Sequence, residues 1–184
     1  NFSTGEQKGK KSSFSVPLKN YSFRIFSLSS FSLLLHYPLE LRNLEIDMKS
    51  DIKNVAAFLA TAIWADGVYA EGEKEILTEI AEALNADAAE LSQHVDEALA
   101  TLEAKDEEEV QTYLVENASA IEEDEAKVLM QCAIEIVLAD NVVTADEVQT
   151  LFDLADATGS LEHSEVALML LDLVKYDPEI NIEF

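Results

Sequence analysis

One nine-residue stretch occurs twice in this chain. Ala65-Asp66-Gly67-Val68-Tyr69-Ala70-Glu71-Gly72-Glu73 returns as Ala139-Asp140-Asn141-Val142-Val143-Thr144-Ala145-Asp146-Glu147. Both copies carry an Ala-Asp-(Gly/Asn)-Val turn and a Glu seven residues after the Asp. The offset of 74 holds on either side of the turn. Phe58, Leu59, Ala62, Ile63 and Trp64 fall on Cys132, Ala133, Ile136, Val137 and Leu138; Leu77, Ile80 and Ala81 fall on Leu151, Leu154 and Ala155. The flanks are apolar at helical spacing, so the chain is constrained to one helix-turn-helix unit used twice, with a spacer between.

The helices can be placed in order. Ser50-Asp51 opens the first, whose stripe is Ile52, Val55, Ala56, Leu59, Ala62 and Ile63. Phe58 and Trp64 widen that stripe, which predicts a central helix covered on more than one side. Gly67 supplies a left-handed position to end it. The second runs from Ala70 to Leu84, with Glu71, Glu73 and Glu75 in its first turns, where the helix dipole favours negative charge. Asp87-Ala-Ala-Glu90 resembles a capping box ahead of Leu91, Val95, Ala98, Leu99 and Leu102. Asp106 caps a fourth helix through Val110, Tyr113, Leu114 and Ala118. The fifth spans Glu122 to Ala139, closed by Asn141, which tolerates the left-handed region. Thr144 and Glu147 form a capping box for the sixth, ended by Gly159. Ser160 opens a seventh through Val166, Leu168, Met169, Leu171 and Val174, and Pro178 stops it. The expected fold is all-α: about seven helices in an antiparallel bundle, built from two pseudo-repeated helix-turn-helix units with short connections.

Composition divides the chain at Met48. Residues 1–47 carry a net charge of +2 and residues 48–184 carry −27, which together give the −25 of the whole. The first segment has three readings. Met48 is the true start and the upstream residues are the conceptual translation of an untranslated leader; or Lys8, Lys10, Lys11 and Lys19 ahead of the apolar run Phe23–Leu35 form a targeting segment; or Tyr21–Leu39 is an anchor, poorly suited to it by Arg24, His36 and five serines. Residues 1–47 are therefore set apart as a poorly packed leader, and 48–184 are taken as the folded domain.

The acidic balance argues against nucleic acid, whose phosphates require Lys and Arg. It favours cations and basic partners. The single cysteine, Cys132, excludes an intrachain disulfide and a Cys-based zinc cluster. Cys132 aligns with Phe58 in the repeat and reads as an inert core thiol. His94 and His163 lack a Glu three residues before them, so the Glu-x-x-His pairs of di-iron bundles are missing. The sequence contains no His-Glu-x-x-His, no phosphate-cradling glycine loop and no Gly-x-Ser-x-Gly. With no nucleophile and base to pair, a non-enzymatic protein is expected.

The candidate site is the pair of turns. Asp66 and Glu73, with Asp140 and Glu147 as their equivalents, place one carboxylate at the end of a helix and another at the start of the next. A tight turn brings such ends together, and hard cations take oxygen ligands from turns of this kind. An EF-hand is excluded: counted back from the Glu, its first and third loop positions would be Ala62 and Trp64, or Ile136 and Leu138. Capping alone accounts for all four acids; capping with weak binding of calcium, magnesium or manganese is the alternative. The runs Glu107–Glu109 and Glu122–Glu125 read as solvated first turns favoured by the dipole, or as an acidic patch for a basic partner.

The repeated Ala-Asp-Gly-x-x-x-x-x-Glu pattern between amphipathic helices resembles the tellurite-resistance TerB-like family over residues 48–184. Ala65-Asp66-Gly67 with Glu73 and Leu77 is the closer copy; the second departs with Asn141 for Gly. The resemblance implies a small cytoplasmic bacterial helical domain linked to stress response and tellurite resistance, without an established reaction. It also implies metal-ion binding or complex assembly, and related domains occur in membrane-associated co-chaperones; the acidic faces make a basic or membrane-associated protein the expected partner. Asp66, Glu73, Asp140 and Glu147 match the family's acidic positions.

Overall fold

The computed structural model describes residues 48–66, 71–175 and 180–183, with Asp66 and residues 71–73 described in backbone only. Among them are seven helices: α1 (Ile52–Asp66), α2 (Glu71–Ala83), α3 (Ala88–Glu103), α4 (Glu107–Ala118), α5 (Glu123–Val137), α6 (Ala145–Thr158) and α7 (His163–Val174). The all-α fold is as the periodicity predicts. The helix-turn-helix units that share the sequence pattern are α1–α2 and α5–α6. The leader, Gly67 and Pro178 lie outside the described residues.

Helix α1 is the axis of the domain. Eight consecutive residues, Ala56 to Ile63, are all buried, and α1 packs against α3, α4, α5 and α6. A helix apolar on every side is stable only when surrounded. Its small alanines let four neighbours approach, while Phe58, Leu59 and Ile63 fill the space between them. Thr61, the buried polar side chain of this stretch, donates to the carbonyl of Ala57 at 2.9 Å and so leaves no donor unpaired. The Asp51 carboxylate caps the start by accepting the Lys53 amide at 2.9 Å. Trp64 departs from expectation: it is 40% exposed and belongs to the rim of the stripe, not the core.

The caps written into the sequence form in place. Asp87 accepts the Glu90 amide at 2.9 Å. Asp106 accepts the Glu109 amide at 3.0 Å while Glu109 accepts that of Asp106 at 3.2 Å. Asn141 sits at φ +63° and Gly159 at φ +66°, both in the left-handed region. The seventh helix begins later than Ser160 suggests. Leu161 and Glu162 stay extended after the Gly159 cap, and Glu165 takes the Glu162 amide at 3.1 Å, so the first turn forms at His163.

A two-stranded parallel sheet was not expected. β1 (Val142–Thr144) pairs with β2 (Asn181–Glu183) in the register Val142 with Asn181, Val143 with Ile182 and Thr144 with Glu183. Three-residue strands carry no readable alternation, and this pair joins segments remote in sequence.

Candidate functional site

The second turn is fully described and can be built from its residues. α5 closes through Leu138, whose amide donates to Ile134, and Asn141 turns the chain in the left-handed region. Asp140 then folds back: its Oδ1 accepts the Val142 amide at 2.8 Å. This is an Asx turn, the local bonding that makes Asp a turn former. Val143 is wholly buried and anchors β1 to the core. The carbonyl of Asn141 accepts the Asn181 amide at 2.8 Å, so β2 holds the turn from outside.

Glu147 begins α6 in a capping box. Its Oε2 accepts the Thr144 amide at 2.6 Å and the Thr144 hydroxyl at 2.9 Å. The Glu147 amide donates to Thr144 Oγ1 at 3.3 Å. Only 2% of the residue is exposed. The carboxylate therefore pairs donors that the first turn of the helix would otherwise leave open.

The charge that acts on Asp140 comes from elsewhere. Partial burial raises the Asp140 pKa from its ordinary value; its backbone hydrogen bonds oppose this, and the Glu183 carboxylate adds to the rise. Glu183, on β2, is thus a member of this turn that the sequence pattern does not reveal. Its side chain accepts from Asn181 Nδ2 at 3.2 Å. Asp66 and Glu73 terminate α1 and start α2 in backbone, and their side chains lie outside the described residues. Among the described residues no group of three or more His, Cys, Asp or Glu is placed to hold a metal ion.

The run Glu122–Glu125 differs from a solvated first turn. Glu125 is 2% exposed, and its carboxylate takes the backbone amides of Lys49 and, at 3.1 Å, Ser50. Ser50 Oγ in turn accepts the Glu122 amide at 2.9 Å. Lys49 Nζ reaches Asp124 at 2.5 Å on the open surface; that contact lowers the Asp124 pKa and raises that of Lys49. The lead-in to α1 and the start of α5 are locked reciprocally. Glu107 and Glu108 are exposed, as a solvated run requires.

The remaining chemistry-bearing residues lie apart from the turn. Cys132 is buried, and burial together with the nearby Glu135 holds its thiol far above the range of a reactive thiolate. His94 Nδ1 lies 3.1 Å from Glu97. His163 stacks on Phe152 with ring centroids 4.6 Å apart, and its Nε2 meets Asp156 at 2.8 Å, which ties the start of α7 to α6. Glu135, partly buried on α5, has its pKa raised to about 7 by burial and by Glu79 of α2.

No helix among the described residues is long and apolar enough to cross a membrane. Searched against protein-family profiles, curated proteins and solved structures, the chain matches none. What stands at this point is a class: an acidic, all-α domain organised around a buried central helix.

Proposed function

We propose that this chain is a non-enzymatic interaction module, TerB-like in kind, whose acidic surface docks a basic or membrane-associated protein in a bacterial, cytoplasmic stress response of the tellurite-resistance type. One observation carries the choice between surface and turns. At the second turn Asp140 and Glu147 are each bonded to backbone amides that would otherwise be open. The turn is thereby accounted for as structure. The excess of exposed carboxylates on α3, α4 and the start of α5 is not. Opposite charge steers partners over several ångströms and is weakened by salt. Capture of partners on the immobilised chain should therefore be strong at low ionic strength and lost at high. A lysate that yields no basic partner at low ionic strength removes the reading.

Divalent-cation binding through the turns is the second reading. Asp140 and Glu183 favour it, because the strand pairing brings a second carboxylate to act on Asp140 and hard cations take oxygen ligands. Asp66 and Glu73 would serve the first turn, and Asp140 and Glu147 the second. Titration with calcium, magnesium and manganese, followed by calorimetry and melting temperature, tests it. The D66N/D140N double variant is expected to lose binding. Equal binding by that variant discards the four-acid assignment.

A further inference from the structure

Helix α7 presents two apolar faces, and the core uses one. Val166, Met169, Leu170 and Leu173 are buried on the inner face. Leu168 and Leu171, one turn apart on the opposite side, are 66% and 58% exposed. They are the two most exposed large apolar side chains among the described residues. Ala167 and Val174, both half-buried, share the same spacing and extend the pair into a strip at positions 167, 168, 171 and 174. Glu165 and Asp172, both exposed, lie along one flank of the strip, and Lys175 stands at its end, 3.9 Å from Asp172.

Single exposed leucines are ordinary on a protein surface, but a strip at i, i+1, i+4 and i+7 has the spacing that meets the apolar face of another helix. The acidic flank specifies what kind of helix. An apolar strip beside Glu165 and Asp172, in a domain whose net charge is −27, is complementary to an amphipathic helix with Lys or Arg bordering its apolar face. The same charge opposes an anionic lipid surface.

Resting on the acidic-module reading above, we propose that the outer strip of α7 is the docking face, and that its occupant is a basic amphipathic helix of a partner protein. Leu168 and Leu171 enter the apolar face of that helix, and Glu165 and Asp172 meet its basic border.

The test uses the full chain and a fluorescent synthetic amphipathic helix of leucine and lysine, with binding read by anisotropy. The L168A/L171A variant is expected to weaken binding by more than about tenfold, as loss of a central apolar anchor does. E165Q/D172N should weaken it less and flatten its salt dependence, and V115A, which trims an exposed apolar side chain on α4, should leave it unchanged. All three alter exposed side chains, so circular dichroism should show wild-type helix content and melting.

The outcomes separate the two readings. Salt-sensitive binding that L168A/L171A leaves intact overturns the α7 face and leaves the acidic module standing. No binding to the wild type at low salt overturns both. A homodimer that competes with the peptide and is dissolved by L168A/L171A overturns the proposal in favour of a second copy. Recruitment of the wild type, but not of L168A/L171A, to zwitterionic phosphatidylcholine vesicles overturns it in favour of a membrane.

Discussion

Among the described residues, Glu125, Glu147 and Glu135 are withdrawn from solvent in two different ways. Glu125 and Glu147 stand at the first turns of α5 and α6 and are satisfied by backbone amides. Glu135 stands in the last turn of α5, where no hydrogen bond or ion pair reaches it among the described residues and Glu79 opposes it across the gap to α2. Taking a carboxylate out of water costs free energy unless something replaces the lost hydration. At a helix start, open amides and the positive end of the dipole compensate; in the last turn, where Glu135 sits, no amide is open and the dipole presents its negative end. Position on the helix, more than burial, decides whether an acid holds this fold together or works against it.

The largest expected effects come from removing the satisfied acids. Glu125→Ala leaves the Lys49 and Ser50 amides without their partner and unties the lead-in of α1 from α5. Glu147→Ala opens the Thr144 cap beside the buried Val143. Each should cost roughly 2–4 kcal/mol, the range for a buried charge-assisted bond whose partner is left behind. Denaturant unfolding measures it. A loss under about 0.5 kcal/mol for either, the level of an ordinary surface substitution, would break the contrast.

Glu135 should behave in the opposite sense, from neutral pH upward. Its folded pKa, about 7, lies above the unfolded carboxyl range, so the folded state keeps a proton that the unfolded state releases. The stability it contributes is complete below the unfolded pKa and is lost as pH rises through about 7. Glu135→Gln should therefore leave stability near pH 4 almost unchanged and raise it at pH 8, by about 3 kcal/mol at the order of magnitude that such a shift implies. A variant destabilised at pH 8 would mean that Glu135 has a favourable partner.

These contrasts mark what the sequence can and cannot carry. The caps were legible because they are local: Asp87 with Glu90, Asp106 with Glu109, Thr144 with Glu147, and Asn141 and Gly159 at helix ends all act within a few residues of themselves. The central place of α1 was legible from its apolar surround. What escaped is the long-range pairing. Glu125 meets backbone 75 and 76 residues away, Glu183 reaches Asp140 only after β2 docks on β1, and Glu135 faces Glu79 through the packing of α5 on α2. The outer strip of α7 escaped for a different reason. A helix apolar on both faces has a periodicity that does not say which face the core will take.

A smaller effect separates burial from bonding. Glu109 makes the same capping box as Glu147, with an amide distance of 3.2 Å, but on an exposed turn. Water can replace its bond, so Glu109→Ala should cost roughly 0.5 kcal/mol, the low end for a cap. If it matches Glu147→Ala, the reciprocal bonding matters and the burial does not.

The smallest effect is expected where the contact looks strongest. Asp124 meets Lys49 Nζ at 2.5 Å, next to the Glu125 clamp, and both side chains are more than 60% exposed. An ion pair in open water gains little over two hydrated charges and is screened by salt. Asp124→Asn should therefore leave the melting temperature where it is, while Glu125→Ala, one residue on, lowers it. The pair of variants separates two neighbouring acids of one run by what each one meets. Should Asp124→Asn destabilise as strongly as Glu125→Ala, the clamp at the start of α5 is electrostatic and draws on the whole acidic run, and raising the ionic strength would then weaken the domain. Should it not, the lock between α1 and α5 is made by backbone amides and is insensitive to salt, which frees the rest of that run to face a partner.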